Sequence, residues 1–389
     1  GLMTRDAVLI DTNAGLAEAL AALKGEAVVA LDTEFMREKT YYAKLCLLQI
    51  ASSHRILLID MLAIRELRPL AELLSDPQVT KVFHAAAQDL EVLYQACGVI
   101  PAPIFDTQDG AELAGYPLQV GYGALVAGEL GVKLDKADSF TDWSRRPLTG
   151  EQLKYAADDV SYLLELYPRL SQKLAEMGRL NWIEEALQAK TDPALLDPDP
   201  RQFYRRVKHI SRLKGVHLAV AREVAAWREE QARRLNKPRR WILGDESLIE
   251  IAQRIPESEA ELLDIRGVNM KNNTLRRTLM EAVGVGSGLD KESWPELPGK
   301  RRMTRDLGPI VDAMSALLRL RAGEHHIAAA LLATRAQLET LAAAPEEPCA
   351  LLTGWRRELV GAELLELLRG ELVLSVADDR LSVERKPQT

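Results

Sequence analysis

The chain has 389 residues, a hydrophobic content of 47% and a formal net charge of −7, and its isoelectric point lies near 5.6. This length predicts roughly two or three domains, and the apolar content is sufficient for ordinary buried cores, which excludes a disordered or fibrous chain. The acidic balance argues against a protein that coats nucleic acid with its whole surface.

The cysteine spacing and the lengths of the apolar segments indicate the cellular compartment. Cys46, Cys97 and Cys349 are far apart and lack C-x-x-C spacing, so neither a disulfide framework nor a cysteine zinc site is predicted. No apolar run approaches the roughly 18 residues that a membrane-spanning helix needs, and no secretory signal is recognisable. The sequence therefore predicts a soluble, reduced, cytoplasmic protein with no membrane partner.

The first predicted domain, residues 3–190, alternates strand-like and helix-like patterns. Predicted strands cover residues 27–35, 45–51, 55–60, 81–84 and 104–106, and predicted helices cover residues 67–74 and 88–96. Three apolar strands before the first helix indicate an antiparallel meander, and the later alternation of strand and helix indicates parallel pairing. A capping box at Thr149 and Gln152 starts a long helix whose apolar stripe reaches Tyr167. These patterns predict an α/β domain with a mixed sheet flanked by helices.

The rest of the chain is predicted to be helical. Residues 191–200 hold three prolines, and residues 284–302 hold spaced glycines and W-P-E-L-P-G, so both segments are interpreted as linkers. They delimit two small all-α bundles, residues 201–283 and 304–375, before a C-terminal tail, residues 376–389. The predicted helices cover residues 216–235, 246–253, 310–321 and 327–342. Residues 371–384 alternate with period two around an Ala-Asp-Asp turn, which predicts a hairpin.

One segment of this acidic chain is strongly basic. Residues 201–240 contain 13 Lys/Arg and 3 Glu, a local balance of +10. Such a block indicates an electrostatic footprint for a polyanion, although a solvated face of charged helices explains it equally well.

Two carboxylates end the first predicted strand. Residues i and i+2 of a strand face the same side, so Asp32 and Glu34 project together. Two like charges side by side favour a cation between them, and oxygen ligands suit Mg²⁺ or Mn²⁺. The alternative is that both side chains stand in solvent at the strand end.

Three further residues have ordinary explanations when taken singly. Asp89 begins a helix, where acidic residues complement the helix dipole. Tyr155 and Asp159 are four residues apart and share one face of the capped helix, as a satisfied core pair also does. Asp158 points about 100° away from that face, which favours Asp159.

The order and spacing of these residues are more specific than each alone. D-x-E on a first strand, Asp at a helix start and Y-x-x-x-D on a late helix resemble the exonuclease superfamily named for its four acidic residues. Lys154 stands where the histidine form of that superfamily has its histidine, so the resemblance is to the tyrosine form. It implies a ribonuclease H-like scaffold and 3′→5′ release of nucleoside 5′-monophosphates.

The same resemblance implies roles for the five residues. Two divalent metal ions, Mg²⁺ or Mn²⁺, are expected to bridge the scissile phosphate, and Asp32 is expected to touch both. Glu34 and Asp159 are expected to hold the ion that activates water, and Asp89 to serve the second ion. Tyr155 is expected to position the water, since a phenol with an ordinary pKa near 10 is a poor base at neutral pH.

Longer stretches narrow the resemblance to the bacterial ribonuclease D family. They are DTEFMREKTYYAKLCLLQIA (32–51), DWSRRPLT (142–149) and YAADDVSYLLELY (155–167). RLNKPRRWILGDESL (234–248) resembles the helicase-and-ribonuclease-D C-terminal (HRDC) domain, and residues 304–375 fall where a second HRDC-like domain is expected. The resemblance implies RNA as the partner and a role in tRNA 3′ maturation.

Several residues are predicted to bind the substrate. Phe35 and Gln49 are candidates for contacting the terminal nucleotide. His84 is a candidate for lining the cleft, although a histidine at a strand end is more often a hydrogen-bonded structural residue. Arg145 and Arg146 precede the catalytic helix and could bind phosphate, although surface charge explains at least one of them equally well. The remaining substrate-binding predictions are the phosphate contacts Lys237, Arg239 and Arg240.

Two other functions remain open at this stage. A DNA-directed exonuclease would use the same chemistry, although the chain has no recognisable polymerase or helicase region. A non-catalytic RNA-binding protein would keep the fold, although the presence of all four acids and the tyrosine argues against it.

Overall fold

The computed structural model describes residues 6–135, 142–268, 271–297 and 306–387. Some sequence-based boundaries therefore lie outside the described residues: residues 3–5 of the first predicted domain, 298–302 of the second linker, 304–305 of the third domain and 388–389 of the tail. Within the described ranges, no helix has both the length and the apolarity needed to cross a membrane.

A six-stranded mixed sheet forms the centre of the first domain. Its strands are β1 (Asp6–Ile10), β2 (Val28–Met36), β3 (Lys44–Ala51), β4 (Arg55–Asp60), β5 (Thr80–Phe83) and β6 (Ile104–Asp106). Their order across the sheet is β1-β4-β3-β2-β5-β6. The β2-β3-β4 meander is antiparallel, whereas β1-β4, β2-β5 and β5-β6 pair in parallel. The predicted mixed sheet is confirmed.

Helices cover both faces of this sheet, because its central strands are apolar on both sides. One face packs against α1 (Asn13–Ala21), α2 (Arg68–Ser75) and α3 (Ala87–Cys97). The other packs against α4 (Thr107–Leu113), α5 (Tyr122–Leu130), α6 (Gly150–Ser161), α7 (Leu163–Glu176) and α8 (Leu180–Lys190). A short helix, α9 (Pro193–Leu196), lies in the proline-rich linker.

The second block is a helical bundle around one long helix. Two 3₁₀ turns, Pro200–Arg206 and Ile210–Arg212, precede its helices. The helices are α10 (Gly215–Leu235), α11 (Arg239–Ile242), α12 (Asp245–Arg254), α13 (Glu259–Leu263) and α14 (Asn273–Ser287). Its core is separate from the two cores of the sheet domain.

The third block is helical and ends in a hairpin. Its helices are α15 (Gly308–Glu324), α16 (Ala329–Leu332), α17 (Arg335–Ala343), α18 (Gly354–Arg356) and α19 (Ala362–Leu368), with a π turn over Arg357–Gly361. The predicted hairpin is confirmed as β7 (Leu372–Ala377) and β8 (Arg380–Arg385). Asp378 and Asp379 both have positive φ, as the tight turn of a two-residue hairpin requires.

Four sequence-based boundaries are wrong. A strand and a helix, β1 and α1, precede the meander, so its strands do not come before the first helix. The long helix predicted from the capping box is divided at Tyr162, and the helix predicted over 327–342 is divided at Thr334, whose own capping box with Gln337 starts α17. The linker predicted from residue 284 begins inside α14, which continues to Ser287.

The division at Tyr162 has a tertiary cause. The Tyr122 hydroxyl of α5 donates to the Asp158 carbonyl at 2.7 Å, and the Tyr162 backbone N–H donates to that hydroxyl at 3.1 Å. The hydroxyl thus stands between a carbonyl and the N–H four residues later, which an uninterrupted α-helix would join. The sequence of α6 and α7 contains no sign of this insertion.

Candidate active site

Three carboxylates meet between β2 and α6. Asp32 and Glu34 face the same side of β2, and Asp159 projects from α6, which packs across that face. One carboxylate oxygen from each residue lies within 4.8 Å of the other two. The β2–β3 register shifts immediately after Glu34, and such bulges commonly redirect side chains beside active sites.

The fourth acid, Asp89, comes from the other face of the sheet. It lies in the first turn of α3, is buried, and accepts a hydrogen bond from the Thr33 hydroxyl. Thr33 points away from Asp32 and towards α3, because side chains alternate along a strand. Asp89 is nevertheless close enough to Asp32 to raise its pKa. The structure therefore brings all four predicted acids to one end of β2.

Burial and mutual repulsion raise the pKa of every one of these acids. Burial, followed by the charge of Asp159, raises the pKa of Glu34 to about 8. Burial raises the pKa of Asp89 to about 7, and burial together with Asp158 raises that of Asp159 to about 7. The pKa of Asp32 lies well above its ordinary value because of burial and its three acidic neighbours. Near neutral pH the four groups cannot all ionise without a compensating cation.

The residues fit oxygen-preferring divalent ions. All four donors are carboxylates, the ligand class of Mg²⁺ and Mn²⁺, whereas nitrogen or sulfur ligands would favour other metals. A bound cation would offset the mutual repulsion of these groups. The three-carboxylate group includes Asp159 and not Asp158, as the helical spacing predicted.

Tyr155 is arranged to donate a proton in a hydrogen bond and to keep it. Its hydroxyl bonds to Asp159, and its ring lies 6.0 Å from the ring of Trp143, between centroids. Burial, the charge of Asp159 and the other nearby carboxylates raise the pKa of Tyr155. The phenol is therefore neutral at physiological pH, which suits positioning and not proton abstraction.

The two residues predicted to contact the terminal nucleotide, Phe35 and Gln49, lie in different environments. Phe35 is half-buried against the core on the α3 side of the sheet. Gln49 is fully buried, and its amide donates weakly to Glu34 and to the Ala156 carbonyl, both at 3.4 Å. The Gln49 side chain thus lies behind Glu34 and holds it, and the predicted contact with a nucleotide is not supported.

His84 has a structural environment. One ring nitrogen lies 2.8 Å from the Thr107 hydroxyl and the other 2.9 Å from the Val120 carbonyl oxygen. Burial lowers its pKa, so the imidazole is neutral. Both ring nitrogens are occupied by protein partners, and the prediction that His84 lines the substrate cleft is not supported.

The two arginines before α6 have different roles. Arg146 makes a bidentate ion pair with Asp60, with Nη2–Oδ1 and Nε–Oδ2 distances of 2.8 and 3.0 Å, and donates to the Cys46 carbonyl. It therefore attaches the loop to β3 and β4. Arg145 is exposed, so it is the arginine of this pair that could reach a phosphate.

The basic block is partly neutralised by ion pairs with acids inside and outside it. Five of its arginines pair with acids, namely Arg201, Arg222, Arg228, Arg233 and Arg239. Arg239 makes a bidentate pair with the fully buried Glu229, at 2.9 and 3.0 Å, so its prediction as a phosphate contact is not supported. Lys237 and Arg240 are exposed, and neither has an ion pair among the described residues.

Some aromatic residues of this block are likewise buried, and one is exposed. Phe203, Tyr204 and Trp227 are buried. The guanidinium groups of Arg206 and Arg239 lie 4.6 and 5.4 Å from the Phe203 ring centroid. Trp241 is 59% exposed, directly after Arg240, and can stack on a base.

Sequence reasoning missed residues that support the acids. Thr33 donates a hydrogen bond to Asp89, and Tyr122 divides α6 from α7 at Tyr162, three residues after Asp159. The signal for Thr33 was its place between two carboxylates on a strand, which directs it to the opposite face. Tyr122 gave no comparable signal.

Two family models match the chain. One, described as a 3′-5′ exonuclease, covers residues 7–175, which include all four acids and Tyr155. The other, described as an HRDC domain, covers residues 217–283, from α10 to α14. The predicted exonuclease domain and the predicted HRDC domain are both confirmed.

Similar proteins match over nearly the full length. A ribonuclease D of Gluconacetobacter diazotrophicus is 40% identical over 388 residues, which are 98% of this chain and 97% of that protein. A ribonuclease D of Acidiphilium cryptum is 39% identical with the same coverage. The crystal structure of Escherichia coli RNase D matches with a TM-score of 0.81 and 31% identity, over 94% of this chain and 99% of that one. The chain therefore belongs to the ribonuclease D family of exonucleases.

Proposed function

We propose that this chain is a 3′→5′ exoribonuclease that releases nucleoside 5′-monophosphates from 3′-hydroxyl ends, tRNA precursors included. The observation that carries the proposal is the convergence of Asp32, Glu34, Asp89 and Asp159, with Tyr155 bonded to the last of them. The related Escherichia coli RNase D is an exoribonuclease involved in structured RNA processing.

The acids would hold two divalent ions, Mg²⁺ or Mn²⁺. When bound, such ions lower the pKa of the attacking water and neutralise charge on the phosphate. Asp32 lies between its acidic neighbours and is the residue best placed to serve both ions. Glu34 and Asp159 would hold one ion, with Gln49 bonded to Glu34, and Asp89 would help to hold the other, with Thr33 bonded to Asp89. Tyr155 would orient the attacking water by accepting a hydrogen bond from it, while the phenol proton is donated to Asp159.

The exposed part of the basic block would bind the RNA. Lys237 and Arg240 offer charge to phosphates, and Trp241 offers a stacking face beside them. Arg145 offers a further cation near the start of α6. We assign residues 3–190 to the exonuclease domain, 201–283 to an HRDC domain and 304–375 to a second, HRDC-like domain, followed by the tail 376–389.

The test of the proposal is degradation of a tRNA precursor with a 3′ trailer, beside DNA of matched sequence, with Mg²⁺ or Mn²⁺. The trailer is expected to shorten one nucleotide at a time with release of 5′-monophosphates. Equal or faster loss of single-stranded DNA would overturn the RNA assignment and favour a DNA exonuclease. Binding without shortening would favour a non-catalytic RNA-binding protein.

Substitution of Asp159 tests the site itself. Asp159→Asn removes one carboxylate of the three-carboxylate group, and turnover is expected to fall by more than about a hundredfold, since a lost metal ligand costs several kcal/mol of transition-state stabilisation. RNA binding, measured by fluorescence anisotropy, should persist. The matched control is Asp158→Asn on the same helix, which lies outside the group and should retain most activity.

A further inference from the structure

A buried carboxylate that is not one of the four acids of the candidate active site bonds to three helices. Asp106 ends β6, and its side chain is fully buried. Its two oxygens accept hydrogen bonds from the backbone N–H groups of Ala85 and Ala86, at 2.9 and 2.8 Å, just before α3. Its Oδ1 also accepts from the Gln108 N–H at 2.9 Å, which caps α4.

The start of α3 depends on this external partner. Ala85 has φ of +57°, an unfavourable conformation for a residue with a Cβ, and the helix has no side-chain cap of its own. The first N–H groups of a helix need acceptors from elsewhere. Asp106 accepts from the N-cap residue Ala86 and from Ala85 before it, so it holds both the entry of the helix and the left-handed residue.

A single cation compensates the buried charge. The Lys190 ammonium, at the end of α8, lies 2.6 Å from Asp106 Oδ2 and 2.8 Å from Asp109 Oδ2. Although burial favours the neutral form of Asp106, Lys190 and the backbone N–H groups lower its pKa, so the group is ionised. The last helix of the first domain, α8, thus supplies the cation for the carboxylate that bonds the start of α3.

This arrangement fixes one of the four acids. Asp89 lies four residues after Ala85, in the first turn of the helix that Asp106 holds. The Asp89 carboxylate accepts a hydrogen bond from the Thr33 hydroxyl on β2. Asp89 therefore has two supports: Thr33 holds the side chain, and Asp106 with Lys190 holds the backbone that carries it.

We propose that Asp106 and Lys190 are positioning residues for the metal site, which set the place of Asp89 through the first turn of α3. Neither residue belongs to the three-carboxylate group, and neither is Asp89. The inference rests on the proposed function, because it assigns Asp89 to metal binding. Residues that orient metal ligands typically change metal affinity by about 10–100-fold when they are replaced.

The test is Mn²⁺ binding to the full chain without RNA, by isothermal titration calorimetry, together with amide hydrogen exchange over residues 84–90. Asp106→Asn is expected to weaken Mn²⁺ binding by about 10–100-fold and to speed exchange over these residues, with the KM for RNA unchanged. The control is Glu129→Gln, another buried carboxylate, which accepts hydrogen bonds from Lys173, Arg169 and Tyr116. It should lower thermal stability without changing Mn²⁺ affinity.

Lys190→Gln keeps the inference testable if Asp106→Asn does not fold. It leaves the bonds from Ala85 and Ala86 in place but removes the compensating charge, and it should weaken Mn²⁺ binding in the same direction. Mn²⁺ affinity equal to the parent in the folded variants, or lowered equally in Glu129→Gln, overturns the inference while the proposed function stands. A parent chain that does not bind Mn²⁺ overturns the proposed function itself.

Discussion

At the scale of single residues, burial and mutual repulsion disfavour ionisation of the four acids. The pKa of Glu34 is about 8, and those of Asp89 and Asp159 are about 7, each raised first by burial. In the metal-free folded chain these groups bind protons that the unfolded chain has already released. Stability must therefore fall as the pH rises from the ordinary carboxyl pKa to these raised values.

We expect stabilisation by Mg²⁺ to increase with pH. A divalent ion binds the ionised acids and cancels their repulsion, so the rise in thermal midpoint on adding Mg²⁺ should be larger at about pH 8.5 than at about pH 6. Differential scanning fluorimetry at both pH values, with and without Mg²⁺, measures this. Asp159→Asn should show a much smaller rise, and a rise independent of pH in the parent would contradict the prediction.

At the scale of elements, one glycine allows two helices of the HRDC region to pack closely. A Cβ added at Gly286 of α14 would lie 2.6 Å from the Val220 Cα and 3.0 Å from the Ala219 carbonyl oxygen of α10. Both neighbours are backbone atoms, which cannot move aside as a flexible side chain can. The residue predicted to belong to a linker is thus a contact between helices.

We expect Gly286→Ala to lower the free energy of unfolding by about 1–3 kcal/mol, because the added methyl group overpacks the α10–α14 interface. Urea denaturation measures the change. Gly284→Ala is the control in the same helix: nothing lies within 4 Å of its added Cβ, so the variant should be about 0.5–1 kcal/mol more stable than the parent. Equal effects at the two sites would show that helix propensity, and not packing, dominates.

At the scale of the whole molecule, both C-terminal blocks are attached to the exonuclease domain. The Tyr41 hydroxyl, in the β2–β3 connection, donates to Glu229 of α10 at 2.6 Å. Trp182 of α8 stacks on Trp355 of the third block, with centroids 4.4 Å apart and planes at 13°. Residues of the third block belong to the same hydrophobic core as α6 and α7. The predicted third domain therefore packs as an extension of the first.

We expect Trp355→Ala to lower the free energy of unfolding by about 3–5 kcal/mol, since it removes a buried aromatic ring from this interface. The exposed Trp241 provides the matched comparison. Trp241→Ala should leave stability nearly unchanged and weaken RNA binding by about 1–3 kcal/mol, the usual loss for one stacked base. Urea denaturation and fluorescence anisotropy measure the two effects, and a stability loss of equal size in both variants would contradict the assignment.

The sequence determined the features that depend on near neighbours. Strand alternation placed Asp32 and Glu34 on one side, and helical spacing selected Asp159 over Asp158. Local hydrogen bonds set the start of α6 at Thr149, and two residues with positive φ form the turn of the final hairpin. Each of these follows from chemistry within a few residues of chain, which a sequence displays directly.

Only the tertiary structure decided which polar groups are free. Arg239 and Arg240 are adjacent and alike in sequence, yet Arg239 pairs with Glu229, whose other partner is Tyr41, 188 residues before it. His84, likewise, is occupied by groups from two later segments of the chain. A side chain's availability depends on the neighbours that folding brings to it, because a buried charge or imidazole must be satisfied wherever it comes to lie. The four carboxylates could be chosen from their order, but the residues that hold them required the fold.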